Sequence, residues 1–205
     1  MPSTTTGRIP GVDFRAKNYT LVGWKNKNDP TQHLRGGTYQ WRIENPRGES
    51  ILAFDMGAGY TVENSNGEVI AKMGDHVAID EVTEEQVRSG EVVYSPIADE
   101  ILLTVDMKLT GGGEVRRYDS GDTLLTLESD RIRQVLSLIP VADFIFGEKW
   151  EITSPTHGHV CTAQEDRQLN PASKPSKSIQ IEDDANLSNV EMFGIMCMLA
   201  KLSVT

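Results

Sequence analysis

The chain is 205 residues long (22.7 kDa), 38% hydrophobic and 24% charged, with a formal charge of −10. Such a composition fits a folded chain with one core rather than a disordered one, and the acidic balance disfavours nucleic acid as a partner. The charge is uneven: Arg8, Arg15, Lys17, Lys25, Lys27 and Arg35 against Asp13 and Asp29 give residues 1–36 a charge of +4 and leave −14 for the rest.

Residues 1–18 are predicted to form an extended basic arm. Pro2, Gly7, Pro10 and Gly11 interrupt any periodicity, and a terminus of that kind is ordered only when something holds it. Arg8, Arg15 and Lys17 are interleaved with apolar Ile9, Val12 and Phe14. That mixture suits docking, because apolar anchors bury in a groove while flanking charges pair at its rim. The acidic body of a neighbouring copy is one surface such an arm would fit. The first residues lack the apolar run of a signal peptide and the basic amphipathic pattern of a transit peptide, so an intracellular location, cytoplasmic or peripheral at a membrane, is expected.

A single domain is expected over 19–205. Tyr19–Trp24 reads as a first strand and residues 25–37 as a loop. A unit then recurs: an alternating strand, a polar turn ending in glycine, and a second strand. It spans Tyr39–Phe54 with its turn at Gly48, Tyr60–Lys72 at Asn66-Gly67, and Trp150–Thr162 at Gly158. Glycine accepts the positive φ that such turns need, and the alternation on either side puts one face of each strand in the core. Looser hairpins are predicted over 107–118, turning at Gly111–Gly113, and over 114–127, turning at Gly121-Asp122. A run of hairpins forms a meander, and a long meander avoids open edges by closing.

Thr83-Glu-Glu-Gln86 has capping-box spacing and Gly90 follows it, so a short helix is expected there. Ile101–Leu109 and Thr123–Leu127 read as central strands. Residues 131–138 fit a strand or a helical stripe up to Pro140, residues 141–146 resume as strand, and 164–177 read as a surface loop.

The last stretch reads differently. No polar side chain occurs between Met192 and Ala200, so a helix over about 188–203 is apolar all round and must be wrapped on every side. Ser188 or Asn189 can cap its start, Glu191 suits the positive end and Lys201 the negative end. A membrane span needs roughly 20 apolar residues, and this run is much shorter.

The ending Val190-Glu-Met-Phe-Gly-Ile through Ala200-Lys-Leu202, with Phe193, Gly194, Ile195, Lys201 and Leu202 as the matching positions, resembles the closing segment of tubby-like domains. Phospholipid scramblases and the plant LURP-one-related proteins look like relatives of that fold. The recurring hairpin unit over about 39–182 has the same likeness, and the helix follows in the same order. The resemblance implies a mainly β fold, an antiparallel β-barrel or barrel-like meander of hairpins enclosing a hydrophobic C-terminal α-helix. The residues alone leave an antiparallel sandwich with a terminal helix open as well.

Catalytic signatures are missing: no nucleophile elbow, zinc-protease pair or dinucleotide fingerprint occurs, and Gly111–Gly113 lacks the lysine and helix of a phosphate loop. The chain reads as no enzyme, with no cofactor and no metal. His157 and His159 read as turn decoration, Asp183-Asp184 as a polar lead-in to the helix, and Cys161 and Cys197 as buried thiols. The family likeness implies binding of a phosphoinositide or an anionic membrane surface, which needs clustered cations to meet phosphates. In the body, Arg116, Arg117, Arg131 and Arg133 are the close pairs. The alternative function is structural: a homo-oligomer or protein complex held by Arg8, Ile9, Val12, Phe14, Arg15 and Lys17 of the arm.

Overall fold

The computed structural model describes residues 9, 11–24, 40–55, 61–74, 91–108, 112–129, 148–166 and 175–203. Its twelve strands are β1 (Asn18–Trp24), β2 (Gln40–Glu44), β3 (Ser50–Asp55), β4 (Thr61–Asn64), β5 (Val69–Met73), β6 (Glu91–Ser95), β7 (Glu100–Met107), β8 (Gly113–Arg116), β9 (Thr123–Ser129), β10 (Lys149–Ser154), β11 (Gly158–Asp166) and β12 (Ser176–Ile181), followed by one helix, α1 (Asn189–Leu202). Each strand pairs antiparallel with the next, and β12 returns to pair with β1, from Asn18 against Gln180 to Val22 against Ser176. The meander therefore closes into a barrel, and the sandwich is excluded.

Alternation decides which side chains enter the barrel. Tyr19 and Leu21, Trp41 and Ile43, Leu52 and Phe54, Leu125 and Leu127, Trp150 and Ile152, and Ile179 and Ile181 are all buried in one continuous core, while residues between them are open to solvent to some degree. Eight strands make a barrel whose interior is filled by their own side chains. Twelve leave room for a helix, and α1 occupies it: every residue from Met192 to Ala200 is buried. An isolated helix with no polar face is unstable in water, and a closed barrel supplies apolar surface on all its sides.

The start of α1 follows from Ser188. Its hydroxyl accepts from the Glu191 backbone N–H at 3.3 Å, and the Glu191 carboxylate accepts from the Ser188 N–H at 2.8 Å, which is a complete capping box. Asn189 is thus the first helical residue and not the cap. At the far end Ser203 is the C-cap, its hydroxyl donating to the Leu199 carbonyl at 2.8 Å.

Even-numbered strands connect to odd-numbered ones by tight turns, all at the barrel end where α1 begins. Two of these turns are chemically the same. Asn45 accepts from the N–H groups of Arg47 and Glu49 and donates to the Glu49 carboxylate; Asn64 does so with Asn66 and Glu68. Gly48 and Gly67 then take positive φ, 77° and 79°, so Asn-x-x-Gly-Glu is a repeated turn module in which the asparagine side chain stands in for a backbone partner. The β10–β11 turn is one residue longer: the Ser154 hydroxyl accepts from the Thr156 N–H, and Gly158, four positions on, has φ 70°.

Several expectations shift. The loop read over 164–177 is shorter, because β11 runs on to Asp166 and β12 starts at Ser176. Gly113 belongs to β8 and not to the turn before it. β6 is an element with no forecast, and it ends at a turn in which Asp99, at φ 52°, does what glycine does elsewhere. The short helix over 83–90 and the segments 131–138 and 141–146 lie outside the described residues. Among the described residues no helix is long and apolar enough to cross a membrane.

Candidate functional site

A filled lumen leaves two kinds of surface for function, the barrel ends and the outer wall. At the turn-rich end the arm is seated on its own barrel. Ile9 and Val12 are buried in the common core, with Phe14 and Ala16 packed against it. Phe14 meets Tyr19 edge-on with ring centroids 6.4 Å apart. The Tyr19 hydroxyl accepts from the Ala16 N–H at 3.0 Å, and burial pushes its pKa up to about 12. Lys17 is the fastener: its carbonyl accepts from the Ile181 N–H at 2.7 Å, and its ammonium donates to the carbonyls of Glu182 and Asp183 at 3.0 and 3.2 Å. Arg15 pairs with Asp13 on the open surface at 2.8 Å; Arg8 lies outside the described residues. The apolar side chains Ile9 and Val12 of the arm are thus buried against the chain's own barrel end.

The opposite end, where α1 finishes, holds a buried cation that the sequence reading placed in a loop. Lys177 shares strand parity with Ile179 and Ile181, so it points inward. Its ammonium donates to the Ser203 hydroxyl at 2.8 Å and lies over the rings of Trp150 and Trp41, 4.6 and 5.9 Å from their centroids. Burial lowers its pKa, which Glu165 and Glu148 partly oppose. A cation at a helix C-terminus meets the negative end of the dipole, and aromatic faces replace part of its lost hydration. Lys177 thus closes the helix end and is itself covered.

On the outer wall, β8 carries Arg116 of the predicted arginine set, and Arg117 follows it in the chain. Glu114 accepts from Arg116 Nη2 at 2.8 Å and from Lys108 Nζ at 3.0 Å. The hydrogen bond from Arg116, then that from Lys108, holds the Glu114 carboxyl below its usual range, and the same contact raises Arg116. Arg117 follows at the exposed β8–β9 turn, its backbone N–H donating to the Asp122 carbonyl at 2.8 Å. Lys108 and Arg116 thus share Glu114 on this stretch of wall, and Asp106, opposite Glu114, is a second carboxylate that raises Arg116. Lys108 is the member sequence reasoning missed; its place opposite β8 depends on the β7–β8 register, Asp106 against Glu114, which no spacing reveals. Arg131 and Arg133 lie outside the described residues.

Both cysteines are buried and free, as expected, and burial pushes both thiols far above their usual range. Among the described residues no three His, Cys, Asp or Glu side chains stand close enough to hold a metal ion. Compared with family models, with curated proteins and with solved structures, the chain finds no match.

Proposed function

We propose that the chain is a tubby-like domain that works by recognition at its outer surface and not by turnover, with a phosphoinositide or another anionic lipid head group as its ligand. One observation carries this reading: the lumen is filled by the chain's own helix, Met192–Ala200 being buried throughout, so a ligand can meet only the wall or the ends. A closed barrel around a C-terminal helix is also the architecture that the likeness of the Phe193–Leu202 ending implies. The wall offers Lys108, Arg116 and Arg117 as cations for phosphate oxygens. Arg116 and Lys108 already converge on the Glu114 carboxylate, and an incoming phosphate would compete for a pair set side by side. Vesicles carrying a phosphoinositide, sedimented beside vesicles of phosphatidylcholine alone, test it. The expected result is binding to the first only, weakened by salt and lost in the Arg116→Glu, Arg117→Glu variant. Failure of the wild-type chain to bind either vesicle overturns the reading.

The alternative, assembly through the arm, now takes the form of arm exchange, in which a neighbour's Ile9, Val12 and Lys17 occupy the seat that this chain's own arm fills. The buried anchors support it, since the seat is already complementary to that segment.

A further inference from the structure

On the outer wall of β11, His159, Thr162 and Glu182 form one group of side chains. β11 carries a bulge: Thr153 of β10 stands opposite His159 and Ile152 opposite Cys161, leaving Val160 as the extra residue. Val160 and Cys161 are consequently both buried, and His159 and Thr162, three positions apart, come out together on the outer wall. Bulges re-aim side chains in this way and are common beside active sites. The His159 ring then lies between two partners. Its Nε2 is 3.2 Å from the Thr162 hydroxyl, and its Nδ1 is 3.4 Å from Glu182 Oε1. Glu182 is fixed in turn, since its N–H donates to the Val160 carbonyl at 3.0 Å and its carbonyl accepts from Lys17 Nζ.

The two nitrogens are used in a definite order. A carboxylate beside Nδ1 holds the proton there, which leaves Nε2 as an acceptor facing the hydroxyl. Hydroxyl on Nε2 and carboxylate on Nδ1 is the order in which an imidazole takes a proton from an attacking hydroxyl. We propose that Thr162 is an acyl-acceptor site, a nucleophile that takes the acyl group of an activated ester or thioester with His159 as its base and Glu182 as the residue that positions His159. Thr162 Oγ forms a bond to the acyl carbonyl carbon as its proton passes to His159 Nε2. The bond from that carbon to the leaving oxygen or sulfur breaks, and the leaving group departs with the proton, so the products are Thr162 O-ester and free alcohol or thiol. Because His159 is exposed on an open wall, the donor must bring its own good leaving group. The step is a single modification of the chain and stands apart from the lipid reading.

The test uses the full chain with 4-nitrophenyl acetate, following nitrophenolate release and locating the acetyl group by peptide mass spectrometry. Acetyl on the Thr162 peptide is expected. His159→Ala should slow this adduct about a hundredfold, the ordinary contribution of a general base. Thr162→Val should abolish it, Thr162→Ser should restore it, and Glu182→Gln should slow it while the thermal midpoint of unfolding holds. Acetyl found on lysines alone, or a Thr162 adduct whose rate His159→Ala leaves unchanged, overturns the proposal.

Discussion

The Lys177 ammonium stands 4.6 Å from the centroid of the Trp150 ring, inside the barrel and at the end of the helix. A buried cation over an aromatic face is worth about 0.5–2 kcal/mol. A double-mutant cycle with Lys177→Met and Trp150→Leu, read by chemical denaturation, should give a coupling of about 1–2 kcal/mol. Additive effects of the two substitutions would mean that the ring fills space and does nothing for the charge.

The same residue sets a pH dependence. Burial lowers the Lys177 pKa from 10.5 in the folded chain, so between the folded value and 10.5 the unfolded state binds more protons than the folded one. Stability from this group is therefore lowest below the folded pKa and rises with pH up to 10.5. Lys177→Met removes the group, so the difference in stability between wild type and variant should shift in favour of the wild type as pH rises towards that limit. A difference that is flat with pH would contradict the assignment.

At Gly194 the helix lies close to the wall. A Cβ built there would lie 3.0 Å from Val115 Cγ1 and 3.5 Å from Leu103 Cδ2. Gly194→Val should destabilise the chain by about 1–3 kcal/mol, as overpacking of a dense core does. Gly194→Ala should cost less, because better helix propensity offsets the contact. A Gly194→Val chain as stable as wild type would mean that the helix is free to move away from β8.

The arm should behave as part of the core. Ile9 is 2% exposed, and Ile9→Ala should cost about 2–5 kcal/mol. Gly11 has φ 71° and would place a Cβ 2.5 Å from Asn64 Nδ2, so Gly11→Ala should destabilise too, against the usual gain from replacing glycine. Denaturant midpoints unchanged in both variants would show an arm that is not held.

Much of this was legible in residues. The Ser188-x-x-Glu191 box and the apolar circumference from Met192 to Ala200 define a helix that must be enclosed, and Gly48, Gly67 and Gly158 mark three hairpins. Closure was less legible: Asn18 pairs with Gln180 across the length of the chain, and local spacing holds no record of that. Lys177 falls at the end of the stretch that reads as a loop, although Lys177, Ile179 and Ile181 alternate as one inward face. The reading of His159 as turn decoration leaves out Thr162, which simple alternation does not set beside it. The signal was Val160-Cys161, two successive apolar residues that break the alternation and mark the bulge. Lys17 against Glu182 and Asp183 depends on the path of the arm, which local spacing does not record.

The central claim is that the barrel is built around α1. A chain ending at Leu187 tests it directly, by far-ultraviolet circular dichroism and denaturant titration beside the full-length chain. Without Met192–Ala200 the inward faces of twelve strands lose the surface they bury against, and a loss of that size exceeds the roughly 5–15 kcal/mol that holds a domain folded. The account predicts no cooperative unfolding transition and strong binding of a hydrophobic dye. A shortened chain that keeps its β-sheet spectrum and unfolds cooperatively at the full-length midpoint would contradict it.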